Sequence, residues 1–224
     1  LAPAALDLQA LFRRHGYADG IIFGHAKDGN LHFVLAQSFN DAASIRQYDE
    51  FTADVVEMVV GKYDGSLKAE HGTGRIMAPF VERQYGPELY EVMRRVKQLF
   101  DPEGILNPGV LLTDDADSYL HNLKIVPTVE TEVDRCVECG YCEPTCPSKD
   151  LTMTPRQRIV LRRELAAANA RGDTALAAEL SDDYEYDGVE TCAVDGLCAI
   201  ACPVDINTGD LVRRLRAESR GRLE

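Results

Sequence analysis

All seven cysteines of this chain lie after residue 135, and their spacing limits what it can fold into more than any other feature. Cys136, Cys139, Cys142 and Cys146, followed by Pro147, form a complete C-x2-C-x2-C-x3-C-P. Three thiolates at that spacing can wrap three corners of an iron–sulfur cube, while the cysteine before proline points to the other cluster of a two-cluster protein. A structural zinc site needs only paired C-x2-C units, so the trailing Cys-Pro has no use there. The pattern returns as Cys192, Asp195, Cys198 and Cys202-Pro203, with Asp195 at the second cysteine position. By the exchange rule the first cluster takes Cys136, Cys139, Cys142 and Cys202. The second takes Cys146, Cys192 and Cys198, with Asp195 at its fourth corner. A carboxylate is harder than a thiolate and holds iron less firmly. Asp195 therefore ligates a labile iron, or leaves an empty corner and a 3Fe–4S cluster, or only hydrogen-bonds nearby backbone.

An odd cysteine count cannot close fully into intramolecular disulfides, and thiols kept reduced fit a cytosol-like compartment. Lys and Arg number 24 against 37 Asp and Glu, a net charge of −13 over 224 residues. That charge opposes binding to phosphate backbones, so nucleic acid is not an expected partner. No apolar run approaches the roughly 20 residues that cross a bilayer, and the first residues lack the pattern of a signal peptide. The expected location is cytoplasmic, in solution or peripherally at the inner membrane face, with homo-oligomerisation left open. The chain does not begin with Met, which suggests a piece of something longer.

Ahead of the cysteines the pattern differs. Residues 6–15 carry apolar positions at helical spacing and stop at Gly16. Residues 21–26 and 31–36 read as two strands around the turn chemistry of Lys27-Asp28-Gly29-Asn30. A helix is expected over 41–60, a further short strand over 65–70, and a helix over 88–100 entered through Pro87. This order predicts an α+β domain, an antiparallel sheet with helices on one face, over residues 1–113. Residues 114–131 read as a linker. Residues 132–224 have helical patterns over 155–171, 174–180 and 209–219 and almost no strand signal, so an all-α domain carries the cysteines.

With a four-residue loop, His25 would pair directly with His32, placing Cβ atoms roughly 5 Å apart on one face. Two imidazoles so placed can chelate a divalent metal, and Glu70-His71 at the end of the next strand offers a third ligand. Two histidines and a carboxylate leave positions open for substrate. A lone strand histidine is usually packed or solvated; a pair in register favours the metal reading.

Three segments carry a family resemblance: Gly24-His25-Ala26-Lys27-Asp28-Gly29-Asn30-Leu31-His32, Glu70-His71-Gly72-Thr73-Gly74-Arg75, and Phe100-Asp101-Pro102-Glu103-Gly104-Ile105-Leu106-Asn107-Pro108-Gly109. Together they resemble the C-terminal part of FAD-linked oxidases of the vanillyl-alcohol-oxidase type, which include D-lactate, glycolate and D-2-hydroxyglutarate dehydrogenases. The resemblance implies a ferredoxin-like antiparallel sheet with helices. It also implies a divalent ion (zinc, manganese or iron) on His25, His32 and Glu70, with His71 as base and Asn107 towards the flavin. Some relatives carry a polar residue where this chain has Val34, which weakens any substrate assignment resting there. The cysteine half resembles the helical ferredoxin domain of succinate dehydrogenase iron–sulfur subunits, where a non-cysteine residue can also occupy the corner held here by Asp195.

The function expected is oxidation of a D-2-hydroxy acid, D-lactate or D-2-hydroxyglutarate, to the 2-oxo acid. FAD, held mainly by a domain absent here, would pass electrons through two iron–sulfur clusters to a quinone or redox protein. The chain by itself would then be inactive. The rival is a non-catalytic iron–sulfur electron-transfer module whose first half is a docking scaffold. Such a scaffold has no use for the ligand set His25, His32 and Glu70.

Overall fold

Leu8, Leu11 and Phe12 recur at helical spacing, and they form the buried face of α1 (Ala2–Arg14). That face packs on α2 (Ala42–Val56), through Phe51 and Val55, to make the first core. Asp41 starts α2 by accepting the Ser44 amide at 2.8 Å, and Glu57–Lys62 continue it as a π-helical turn. Between them lies a hairpin of β1 (Ile21–Phe23) and β2 (His32–Val34), paired Ile21–Val34, Ile22–Phe33 and Phe23–His32. Strand alternation sends Ile22 and Phe33 to the core, where the Phe33 ring meets Phe12 and Phe51 edge-on. His32 therefore projects from the opposite face, beside Phe23, whose ring stacks on it.

The structure is a computed structural model that describes residues 1–220, and it divides into two compact units, Leu1–Ile125 and the residues from Val126 onward. After α2 the first unit continues through α3 (Val81–Tyr85) and α4 (Pro87–Phe100). The second unit is helical: α5 (Thr131–Asp134), α6 (Pro155–Arg171), α7 (Thr174–Asp183), α8 (Leu197–Ala201) and α9 (Thr208–Arg220). Its core joins Val133, Ile159, Ile206 and Leu211, with Cys136 and Cys202 packed against it. A capping box starts α6, with Thr154 and Gln157 satisfying each other's backbone.

Three expectations are corrected. A ferredoxin-like sheet is not formed among the described residues, whose sheet is a single two-stranded hairpin. The expected third strand over 65–70 is irregular, because side chains satisfy its backbone: the Leu67 amide donates to Gln84 and the Lys68 amide to Ser66. The expected pairing of His25 with His32 is also wrong, since the ladder ends two residues earlier at Phe23–His32. Gly24, at φ 154°, turns the chain away from the ladder, and Ala26–Asp28 close a 3-10 turn. Among the described residues no helix is long and apolar enough to cross a membrane.

Candidate metal centre and cluster cavities

The hairpin loop is shaped by two residues that flank the histidines. A Cβ on Gly24 would sit 2.4 Å from the Asn30 carbonyl oxygen, so only glycine admits this close return of the chain. Asn30 accepts the His25 amide at 2.8 Å through its side chain. The register shift of two residues preserves side-chain parity, so His25 still arrives on the His32 face. Their rings lie 5.8 Å apart, edge to face.

Glu70 completes the group, and ligand atoms of His25, His32 and Glu70 all lie within 4.8 Å of one another. One oxygen, Glu70 Oε1, is 3.2 Å from His32 Nε2, 3.5 Å from His25 Nε2 and 3.1 Å from His71 Nε2. Two ligands each about 2.1 Å from one ion at tetrahedral angles stand roughly 3.4 Å apart, which matches these separations. His32 Nε2 is a buried atom that makes no hydrogen bond, since its approach to Glu70 has the distance but not the angle. A buried nitrogen aimed past a carboxylate at a shared point suits a cation, so the residues fit a divalent ion. His71, outside the three-ligand group, is 83% exposed at its side chain and free to face a substrate.

The Glu70-His71 loop is tied to the loop that carries Asn107. Arg75 donates to the Pro108 carbonyl at 2.7 Å, and the Leu111 amide donates to the Gly74 carbonyl at 3.1 Å. Asn107 takes a left-handed backbone at φ 44°, which asparagine tolerates better than most residues. Asp101 organises the turns before it, accepting the Ile105 and Leu106 amides at 2.9 Å each and a bond from Lys97. The Lys97 ammonium, with those amides, holds its carboxyl below the usual range. Arg75 and Asp101 were visible inside the quoted motifs but were not read as the braces that they are.

In the second unit the cysteines gather as two sets. One cavity is lined by Cys136, Cys139, Cys142 and Cys202, with Arg156 beside them. The other is lined by Cys146, Cys192, Cys198 and Asp195, with Arg158 beside them. These are the two groupings expected from the exchange rule, and each suits a cysteine-ligated cluster. Burial pushes the Cys142 thiol up to about 11, so iron would have to displace its proton. The two loops share backbone geometry. Glu138 and Val194, each two residues after the first cysteine, have φ of 57° and 55°, and Gly140 and Gly196 have 83° and 76°. A β-branched residue at positive φ is strained by about 1–3 kcal/mol, yet Val194 keeps the loop in the shape of its complete counterpart. Asp195 Oδ1 accepts the Leu197 amide at 3.1 Å, which leaves its other oxygen for the cavity. The sequence reading missed Arg158, whose position on an arginine-rich helix looks like a solvated face.

The first unit thus carries a two-histidine, one-carboxylate group, and the second carries paired cysteine-lined cavities. Residues 1–111 match the family of FAD linked oxidases, C-terminal domain, and residues 132–206 match the 4Fe-4S dicluster domain. The chain therefore joins the C-terminal domain of an FAD-linked oxidase to a 4Fe-4S dicluster domain. Among its relatives, a D-2-hydroxyglutarate dehydrogenase of Haemophilus influenzae is 27% identical over 92% of this chain and 25% of its own length. One of Pseudomonas putida is 27% identical over 100% of this chain and 27% of its own length. Glycolate oxidase subunit GlcD of Bacillus subtilis is 34% identical over 42% of this chain and 20% of its own length. The chain thus spans about a quarter of the length of the curated relatives that it matches across both halves. No solved structure matches it.

Proposed function

We propose that this chain is the substrate-side and electron-relay part of a dehydrogenase that oxidises a D-2-hydroxy acid to the 2-oxo acid. The observation that carries the proposal is the convergence of His25, His32 and Glu70, with His71 reaching the same carboxylate oxygen. A divalent ion held by the first three would supply Lewis acidity to the hydroxyl and carboxylate oxygens of such a substrate. Glu70 Oε1 faces all three imidazoles, and the exposed His71, oriented through its Nε2, accepts the hydroxyl proton at its other ring nitrogen. Bound FAD would supply the two-electron acceptor that alcohol oxidation needs, and the clusters would supply one-electron carriers. Cys136, Cys139, Cys142 and Cys202 hold one cluster in this reading; Cys146, Cys192 and Cys198 hold the other, with Asp195 at its open corner. The electron acceptor is a quinone or a redox protein. D-2-hydroxyglutarate is favoured over D-lactate because the relatives that align across both units carry that name.

The test uses the complete polypeptide, including its flavin domain, with metal analysis and rapid-mixing flavin reduction. His25→Ala and Glu70→Gln should lose the ion and at least about 100-fold in flavin reduction, the scale of a lost metal ligand or catalytic group. His71→Ala should keep the ion and slow flavin reduction by a similar factor. Full activity in metal-free variants would overturn the metal's role, whereas a complete polypeptide whose flavin no 2-hydroxy acid reduces would leave the rival, an electron-transfer module with no substrate.

A further inference from the structure

Five arginines lie on α6, and four of them face a carboxylate. Arg156 meets Glu143 at 2.8 Å, Arg162 meets Glu130 at 2.7 Å, Arg171 meets Glu164 at 2.8 Å, and Arg163 pairs with Glu138. Arg158 has no carboxylate partner among the described residues, and it is the one with no exposed surface at all. Its Nε donates to the Gly188 carbonyl at 2.6 Å, one terminal nitrogen lies 3.5 Å from Thr191 Oγ1, and the other donates to Cys146 Sγ at 3.7 Å. A guanidinium keeps its proton at any ordinary pH. Buried without a counter-charge it costs several kcal/mol, and a carbonyl and a hydroxyl solvate it without neutralising it. The open direction from Arg158 is the cavity where Cys146, Cys192, Cys198 and Asp195 meet. The compensating charge belongs there.

We propose that Arg158 is the fixed counter-ion of the second cluster and raises that cluster's reduction potential. The proposal rests on the two-cluster reading above. A cysteine-ligated cluster is anionic, and reduction adds one electron without making or breaking any bond to the protein. The nearby cation, together with the hydrogen bond to Cys146, stabilises the more negative, reduced form. The first cavity lacks this device, because its neighbouring cation, Arg156, is already neutralised by Glu143.

The experiment is a redox titration of the full chain, its clusters assembled anaerobically, followed by paramagnetic resonance, with iron and sulfide analysis alongside. Arg158→Gln should shift the reduction equilibrium of the second cluster at least tenfold towards the oxidised form, about 59 mV for one electron. The first cluster should keep its potential, and Arg158→Lys, which retains the charge, should hold the second near its native value. Arg156→Gln should leave the second cluster unmoved. If Arg158→Gln assembles both clusters with native potentials, the proposal fails and the two-cluster reading survives. If the native chain takes no iron into the second cavity, the two-cluster reading fails and this proposal with it. If Gln prevents assembly of the second cluster and Lys permits it, the need for charge is supported. If both prevent it, Arg158 is a packing residue and the proposal is overturned.

Discussion

Asp195 occupies a cysteine position while holding the Leu197 amide through one oxygen. That bond uses half the carboxylate and keeps the loop wound as in the complete motif, so the residue can serve the backbone and still face the cavity. In the proposed second cluster it leaves one iron weakly held, because a hard ligand replaces a soft one. Mild oxidation should therefore convert that cluster to 3Fe–4S while the first persists. Asp195→Cys should resist the loss and shift the cluster's potential. Paramagnetic resonance of oxidised samples decides it, since a three-iron cluster gives a signal and an oxidised four-iron cluster does not. Absence of the signal in both the native chain and Asp195→Ala would show that this corner has no bearing on cluster stability. At this scale the sequence was informative where chemistry needs particular atoms: His25, His32, Glu70 and the cysteines were all picked out by type and spacing. Arg158 was not, because its significance lies in what it lacks, and a missing carboxylate partner appears only once neighbours are known.

The turns around Asp101 show what an element owes to one side chain. Residues 101–109 have little regular structure, and the carboxylate stands in by accepting two amides and the Lys97 ammonium. This in turn sets the approach of Asn107 and Pro108 to Arg75 and the Glu70-His71 loop. The folded-state pKa of Asp101 is lowered, with the Lys97 contact as the largest cause. The native state therefore holds the ionised form more firmly than the unfolded chain does. The resulting stability is present in full above the unfolded value of about 4 and is lost as the pH falls through the lowered folded value. Urea midpoints from pH 7 down to 3 should show native protein more stable than Asp101→Asn at neutral pH, with the gap closing towards acid. A gap independent of pH would mean that the charge does not matter. Helices were legible over most of their length because an apolar stripe announces them, and Pro155–Arg171 was read to the residue. The hairpin register was not legible, because Gly24 and the 3-10 turn exchange ladder bonds for loop bonds without changing the alternation of apolar residues. The third strand failed for a related reason: Gln84 and Ser66 supply the hydrogen bonds that a neighbouring strand would have supplied.

The molecule's two units depend on chain order in different ways. In the first, α1 and α2 close a core around the hairpin, and the ligands come from strand β2 and from two loops. In the second, residues far apart in sequence complete each cavity: Cys202 joins Cys136, Cys139 and Cys142, while Cys146 joins Cys192 and Cys198. That grouping is the one the spacing rule predicts, in which the cysteine before proline serves the other cluster. It has a consequence that a pair of self-contained motifs would not have. Cys202→Ser should impair the first cluster, although all its other ligands lie some sixty residues or more earlier. Cys146→Ser should impair the second and spare the first, although it sits directly beside the first motif's other cysteines. Cys139→Ser, within one cavity only, should act on the first cluster alone. Both ends also meet in one core, where Val133 and Ile159 pack with Ile206 and Leu211, so cluster assembly and folding of this unit should be coupled. Iron and sulfide analysis of the native chain should give seven or eight irons, and each variant should drop to about one cluster's worth. Resonance spectra then identify which cluster remains. If Cys202→Ser removed the second cluster and Cys146→Ser the first, each motif would be self-contained and the crossed assignment of the two cavities would be wrong.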